Sequence, residues 1–131
     1  MKSQNLPKWM PAMYVAYFGI LQELANHHGY ALCVHGSVIR DFDLIAVPFD
    51  VEVRPHEDLL LAIRKAIGLE ESSNKIFDIV GHEPHGRTCY TIECGGDGYF
   101  DISFTPTMQQ AINKIKLDAK RDNELREILN Q

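Results

Sequence analysis

The chain has 131 residues, 45% of them hydrophobic and 24% charged, with a formal net charge of −5 at pH 7. That length suits one domain with a single core and no need of disulfide or metal staples, and the composition is that of an ordinary soluble globular protein. The acidic balance argues against a general electrostatic grip on nucleic acid, and no apolar run approaches the ~20 residues of a membrane helix.

Residues 1–10 are polar, with Pro7 and Trp9, and read as a lead-in that lacks the apolar core of a signal peptide. From Ala12 to about His28 the residues Met13, Tyr14, Tyr17, Ile20, Leu21 and Leu24 recur at helical spacing. Pro11 suits the first turn of that helix and Gly29 its end. A strand is predicted over 30–35, then a small-residue turn at Gly36-Ser37, then a second strand over 41–47 closed by Pro48. Asp50 to Arg54 reads as a connection. Pro55 begins a second helix, with Glu57 and Asp58 in its first turn, where the helix dipole favours them. Leu59, Leu60, Ala62, Ile63, Ala66 and Ile67 form its apolar face, and Gly68 ends it.

Leu69 to Asn74 is a polar loop. Strands are expected over 75–80, 87–94 and 98–104, joined by a longer turn at 81–86 and a hairpin at Gly95-Gly96-Asp97-Gly98. After Pro106, the residues Met108, Ala111, Ile112, Ile115, Leu117, Leu125, Ile128 and Leu129 keep helical spacing. They form one helix, or two with a break inside 118–124. The whole reads as an α+β fold: a mixed or antiparallel sheet of about five strands with helices on at least one face. Residues 1–131 make a single domain whose part from about 106 onward is a helical extension.

Cys33, Cys89 and Cys94 are odd in number and form no Cys-x-x-Cys pair. Cys33, in an apolar strand, reads as a buried free thiol. Cys89 and Cys94, five apart on a strand, fall on opposite faces and do not pair. A reducing cytoplasm is the expected compartment. His82 and His85 flank a proline-containing turn, but zinc needs three or four converging ligands, so solvated loop histidines are the simpler reading. Tyr90, Tyr99, Phe100 and Phe104 read as packing residues, with stacking on a base as the alternative.

The chemistry concentrates in His35-Gly36-Ser37-Val38-Ile39-Arg40-Asp41-Phe42-Asp43. Strand side chains alternate, so Asp41 and Asp43 share one face while Phe42 and Leu44 take the other. Aspartate is disfavoured in strands, and two carboxylates so close repel unless a cation or a proton intervenes. Asp101, within Gly98-Tyr-Phe-Asp-Ile-Ser-Phe104, adds a third carboxylate on a later strand. Backbone amides and a hydroxyl at Gly36-Ser37 suit an anion, with His35 and Arg40 beside them. Arg87 and Lys75 are further phosphate contacts or plain surface cations.

A Gly-Ser turn, then Asp-x-Asp on a strand, then a lone Asp on a later strand resembles the nucleotidyltransferase superfamily with the polymerase-beta-like fold. The wording His-Gly-Ser-x-x-Arg-Asp-x-Asp-Leu-Ile-Ala-Val-Pro looks closest to small phage-encoded proteins of that kind. The resemblance implies that Gly36 and Ser37 hold a nucleoside triphosphate and that Asp41, Asp43 and Asp101 hold Mg²⁺. It further implies transfer of a nucleotidyl group to an acceptor, protein or nucleic acid. Only Val38, Ile39 and Arg40 separate Gly-Ser from the first aspartate, where the family has a longer helical turn. The alternative is a catalytically inactive binding module of the same fold, acting on a host or phage partner, with the C-terminal helix as contact surface or homodimer element. A metal-dependent phosphohydrolase using the same carboxylates is a third reading.

Overall fold

The computed structural model describes residues 11–50, 52–68, 79–94 and 98–131. In chain order it contains α1 (Pro11–His27), β1 (Tyr30–Val34), β2 (Asp41–Pro48), α2 (His56–Ala66), β3 (Ile79–Glu83), β4 (Arg87–Glu93), β5 (Tyr99–Phe104) and α3 (Met108–Leu129). The fold is α+β with a mixed, open sheet in the order β1-β2-β5-β4-β3. The body of that sheet is β1-β2-β5-β4, and β3 lies along the outside of β4 with an irregular register between Ile79 and Gly81. β1 and β2 form an antiparallel hairpin, β2 and β5 are parallel, and β5 returns antiparallel to β4.

One face of the sheet carries the core. Phe42, Leu44 and Ala46 of β2, Phe100, Ile102 and Phe104 of β5, and Tyr90 and Ile92 of β4 are all buried, as the two-residue period of a strand requires. α1 covers them with Tyr14, Leu21 and Ala25, and α2 with Leu59, Leu60 and Ile63. Tyr14, Phe42 and Phe100 form an aromatic cluster with ring centroids 5.3 to 5.7 Å apart. The buried stripe of α1 departs from the expected one: Met13 and Ile20 are exposed, and Phe18 packs on the core instead. A 17-residue helix with apolar residues on several sides leaves the choice of face to its partner sheet.

The helix ends follow their local chemistry. Pro55 is the N-cap of α2, with Glu57 and Asp58 in the first turn and Arg64 and Lys65 in the last, both favourable to the dipole. Thr107 caps α3 through a capping box in which its hydroxyl accepts from Gln110 N–H while the Gln110 side chain accepts from Thr107 N–H. α3 runs unbroken for 22 residues, with none of them buried. The charged stretch 118–124 does not interrupt it, because each of its residues tolerates a solvated helix.

Two expectations about the chain between 75 and 86 change. Residues 75–78 lie outside the described residues, and β3 occupies Ile79–Glu83, so the turn is confined to Pro84–Gly86. Cys33 is exposed rather than buried. It pairs with Ile45 on the face away from the core, in a strand at the sheet's edge, where an apolar neighbourhood in sequence does not mean burial. Lys75 and the loop tip Gly95–Asp97 also lie outside the described residues.

Candidate carboxylate site

The face of the sheet opposite the core holds the aspartates. Asp41 and Asp43 alternate with the buried Phe42 and Leu44 and so project together from that face. The parallel pairing of β2 with β5 sets Asp43 directly opposite Asp101, and Asp41 opposite Tyr99. Asp43 and Asp101 therefore form a cross-strand like-charge pair, their side chains close enough to share a hydrogen bond. Partial burial, then the Asp101 charge, then that of Asp41 push the Asp43 carboxyl above the usual carboxylate range, and His35 pulls it the other way. The pair can lower its energy by holding one proton between two carboxyls or by accepting a cation. Among the described residues, no lysine or arginine forms an ion pair with Asp41, Asp43 or Asp101.

β4 supplies a residue that sequence reading did not single out. Thr91 lies opposite Asp101, and its hydroxyl donates to Asp101 Oδ1 at 2.6 Å. That bond fixes one carboxylate oxygen. Counting outward from the glycine-rich loop finds it: Cys94 N–H donates to Gly98 O at 2.8 Å, and three residues further along each strand stand Thr91 and Asp101.

The Gly36-Ser37 turn closes the β1–β2 hairpin over Asp43. His35 N–H donates to Asp43 O at 2.9 Å. Gly36 has φ +86, and a Cβ placed there would come within 2.6 Å of Asp43 Oδ2. The carboxylate thus lies against the bare Cα of the glycine, which no other residue permits. Val38 also has positive φ, at 58, a conformation that a β-branched residue adopts only when its surroundings impose it. Its side chain is half-buried against the core, which supplies that constraint. This compact left-handed turn is how three residues suffice between Ser37 and Asp41.

Behind the site, α1 ties the strands together. The Tyr14 hydroxyl, fully buried, donates to Arg40 O at 2.6 Å and accepts from Tyr99 N–H at 3.3 Å. It therefore pins the residues next to Asp41 on β2 and at the start of β5. Ser37, Arg40 and His35 are exposed beside the carboxylates. Arg87 turns inward along the sheet, donating to Pro84 O and Ser103 Oγ, and serves the sheet rather than the site. Among the described residues no group of three or more His, Cys, Asp or Glu is arranged to hold a metal ion by itself. The structure thus joins Asp43 to Asp101, with Asp41 one pleat away.

No helix of the described residues is long and apolar enough to cross a membrane. Comparison with known proteins returns no matching family model, no matching curated protein and no matching solved structure.

Proposed function

We propose that the Asp43–Asp101 pair, with Asp41 beside it, is a Mg²⁺-dependent nucleotide site, and that the protein is nucleotidyltransferase-like, transferring a nucleotidyl group to an acceptor that is a protein or a nucleic acid. The observation that carries this reading is the direct opposition of Asp43 and Asp101 across a parallel strand pair, with a glycine-serine turn against one of them. The donor set suits magnesium, which is commonly held by one or two carboxylates with the remaining positions filled by water and phosphate oxygens. It does not suit a metal that needs a complete protein cage. When bound, the ion would offset the charge of carboxylates and phosphates together.

The residues divide the remaining work. Ser37 and the amides of its turn hold the phosphates, and Arg40 and His35 bring positive or neutral donors to the same edge. Asp43 holds the cation, and Asp41, one pleat away, adds negative charge beside it. Asp101, its Oδ1 occupied by Thr91, keeps Oδ2 for the cation and for the proton of the acceptor hydroxyl. A thermal-shift titration with each nucleoside triphosphate, with and without Mg²⁺, tests this on wild type and Asp43→Asn. A ligand at a hundredfold its Kd adds about 2.7 kcal/mol to the folded state. The expected result is a Mg²⁺-dependent rise in melting temperature that the variant loses. A wild-type protein that no nucleotide shifts overturns the reading.

A second reading has its own observation. α3 exposes Met108, Ile115, Leu125, Ile128 and Leu129, as a binding module would. On that reading the carboxylates do no chemistry, and the protein acts through contact.

A further inference from the structure

Where the end of the sheet meets the first two turns of α3 lies a groove of about 540 Å³, within the ~300–1,000 Å³ of small-molecule sites. Thr88 and Phe104, register partners on the core face, both line it, so the carboxylates stand on the other side of the sheet. Phe104, Pro106, Ala111 and Ile115 give the groove its apolar surface. Ile115 is 67% exposed, so a ligand lying over it removes apolar area from water. A Cβ at Gly86 would stand 3.1 Å from Pro106 Cγ, which shows how closely the turn after β3 packs on Pro106 to form one wall.

The polar groups of the groove are left with donors to offer. The side-chain oxygen of Gln110 is taken by Thr107 N–H at 2.9 Å, so its NH₂ is the part that remains. The Tyr90 hydroxyl meets His56 Nδ1 at 3.1 Å, its one partner among the described residues. Burial raises the Tyr90 pKa and pushes that of His56 below its ordinary value, so a protonated phenol faces a neutral imidazole. The phenol donates to Nδ1, which leaves the ring proton of His56 on Nε2. Stacking on Phe104, with centroids 4.0 Å apart and planes at 18°, holds that ring in place. Lys114 adds an ammonium. Its ion pair with Asp118 joins side chains that are 70% and 47% exposed, and so exposed a pair yields readily to another carboxylate. Among the described residues that line the groove there is no aspartate or glutamate.

We propose that this groove binds a small apolar carboxylate, its body over Phe104, Ala111 and Ile115 and its head on the Lys114 ammonium, with the Gln110 NH₂ and the His56 N–H as further donors. Donors with no acid among them match an anion that only accepts hydrogen bonds. They discriminate against an amine, which would meet the Lys114 charge with nothing in the groove to neutralise it. This site is independent of the Asp43–Asp101 pair.

Amide NMR titration of the full chain with phenylbutyrate tests it, with phenylbutanol and phenylbutylamine as the neutral and cationic counterparts. The expected result is a saturable shift of the Thr88, Phe104 and Ala111 amides, with phenylbutyrate binding about tenfold tighter than either counterpart. Lys114→Gln should remove that advantage and leave weak binding of the acid and the alcohol alike. Ala111→Phe, at an exposed helix position, should fill the groove and block binding with the circular dichroism spectrum unchanged. Asp43→Asn should bind phenylbutyrate as wild type does. The absence of a saturable shift at these amides, an alcohol or amine bound as tightly as the acid, a preference that survives Lys114→Gln, or binding that survives Ala111→Phe each overturns the proposal.

Discussion

Replacing Gly36 by alanine measures how closely the turn holds the Asp43 carboxylate, because a second glycine serves as control. Gly36 has φ +86 and Gly68 has φ +82. A Cβ at Gly68 meets nothing within 4 Å, whereas one at Gly36 meets Asp43 Oδ2 at 2.6 Å. Both substitutions incur the left-handed penalty of an L side chain, about 1–2 kcal/mol. Both recover about 0.4–1 kcal/mol from the stiffer unfolded chain. Gly68→Ala should therefore cost about 1 kcal/mol.

Gly36→Ala carries an added term for displacing the carboxylate. Contacting residues couple by roughly 0.5–3 kcal/mol, so its total should be about 1.5–4 kcal/mol. Asp43→Ala removes Oδ2 and leaves its own Cβ at 3.4 Å from the new methyl, an ordinary contact. In that background the cost of Gly36→Ala should fall to the Gly68→Ala value. Urea unfolding at constant m-value reads all four free energies. Costs that add to within about 0.5 kcal/mol, or a Gly36→Ala no worse than Gly68→Ala, would refute the close approach. The Mg²⁺-dependent nucleotide shift should also weaken in Gly36→Ala and survive in Gly68→Ala.

Two further outcomes follow from the same geometry. The folded state holds the Asp43 proton to higher pH than the unfolded chain does, so the stability contributed by Asp43 falls as pH rises from the unfolded value of 3.8 through the raised folded one. Asp43→Asn removes that cost, and at neutral pH it should be more stable than wild type by about 0.2–1 kcal/mol, the range for like charges across strands. The gap should close as pH falls toward 3.8, and melting curves that coincide at pH 7 would exclude the repulsion. Tyr14→Phe removes the hydroxyl that joins Arg40 O to Tyr99 N–H, and should cost about 1–3 kcal/mol by leaving buried groups unpaired. Faster amide exchange at Tyr99 checks it.

Much of the local structure was legible because its causes are local. Gly29 and Gly68 stop their helices, the acidic first turn announces α2, and the glycine-rich loop announces the β4–β5 hairpin. The Thr107 cap of α3 was equally readable, as Thr-x-x-Gln before a helical run, and was missed. Cys33 and the stripe of α1 were misjudged for a different reason. An apolar residue in an apolar segment has two sides available, and the neighbouring element decides which of them is covered.

The sequence by itself determined that Asp41 and Asp43 share a face, because the two-residue period is a property of any strand. Tertiary structure alone decided which of them meets Asp101. β2 and β5 are separated by fifty residues of chain, and nothing local sets their register; burial of Phe42, Leu44, Phe100 and Ile102 does so. A shift of two residues would keep every apolar side chain inside and yet pair Asp41 with Asp101 instead. The Tyr14 hydroxyl, bound to Arg40 and Tyr99 at once, secures the register in which Asp43 and Asp101 stand opposite.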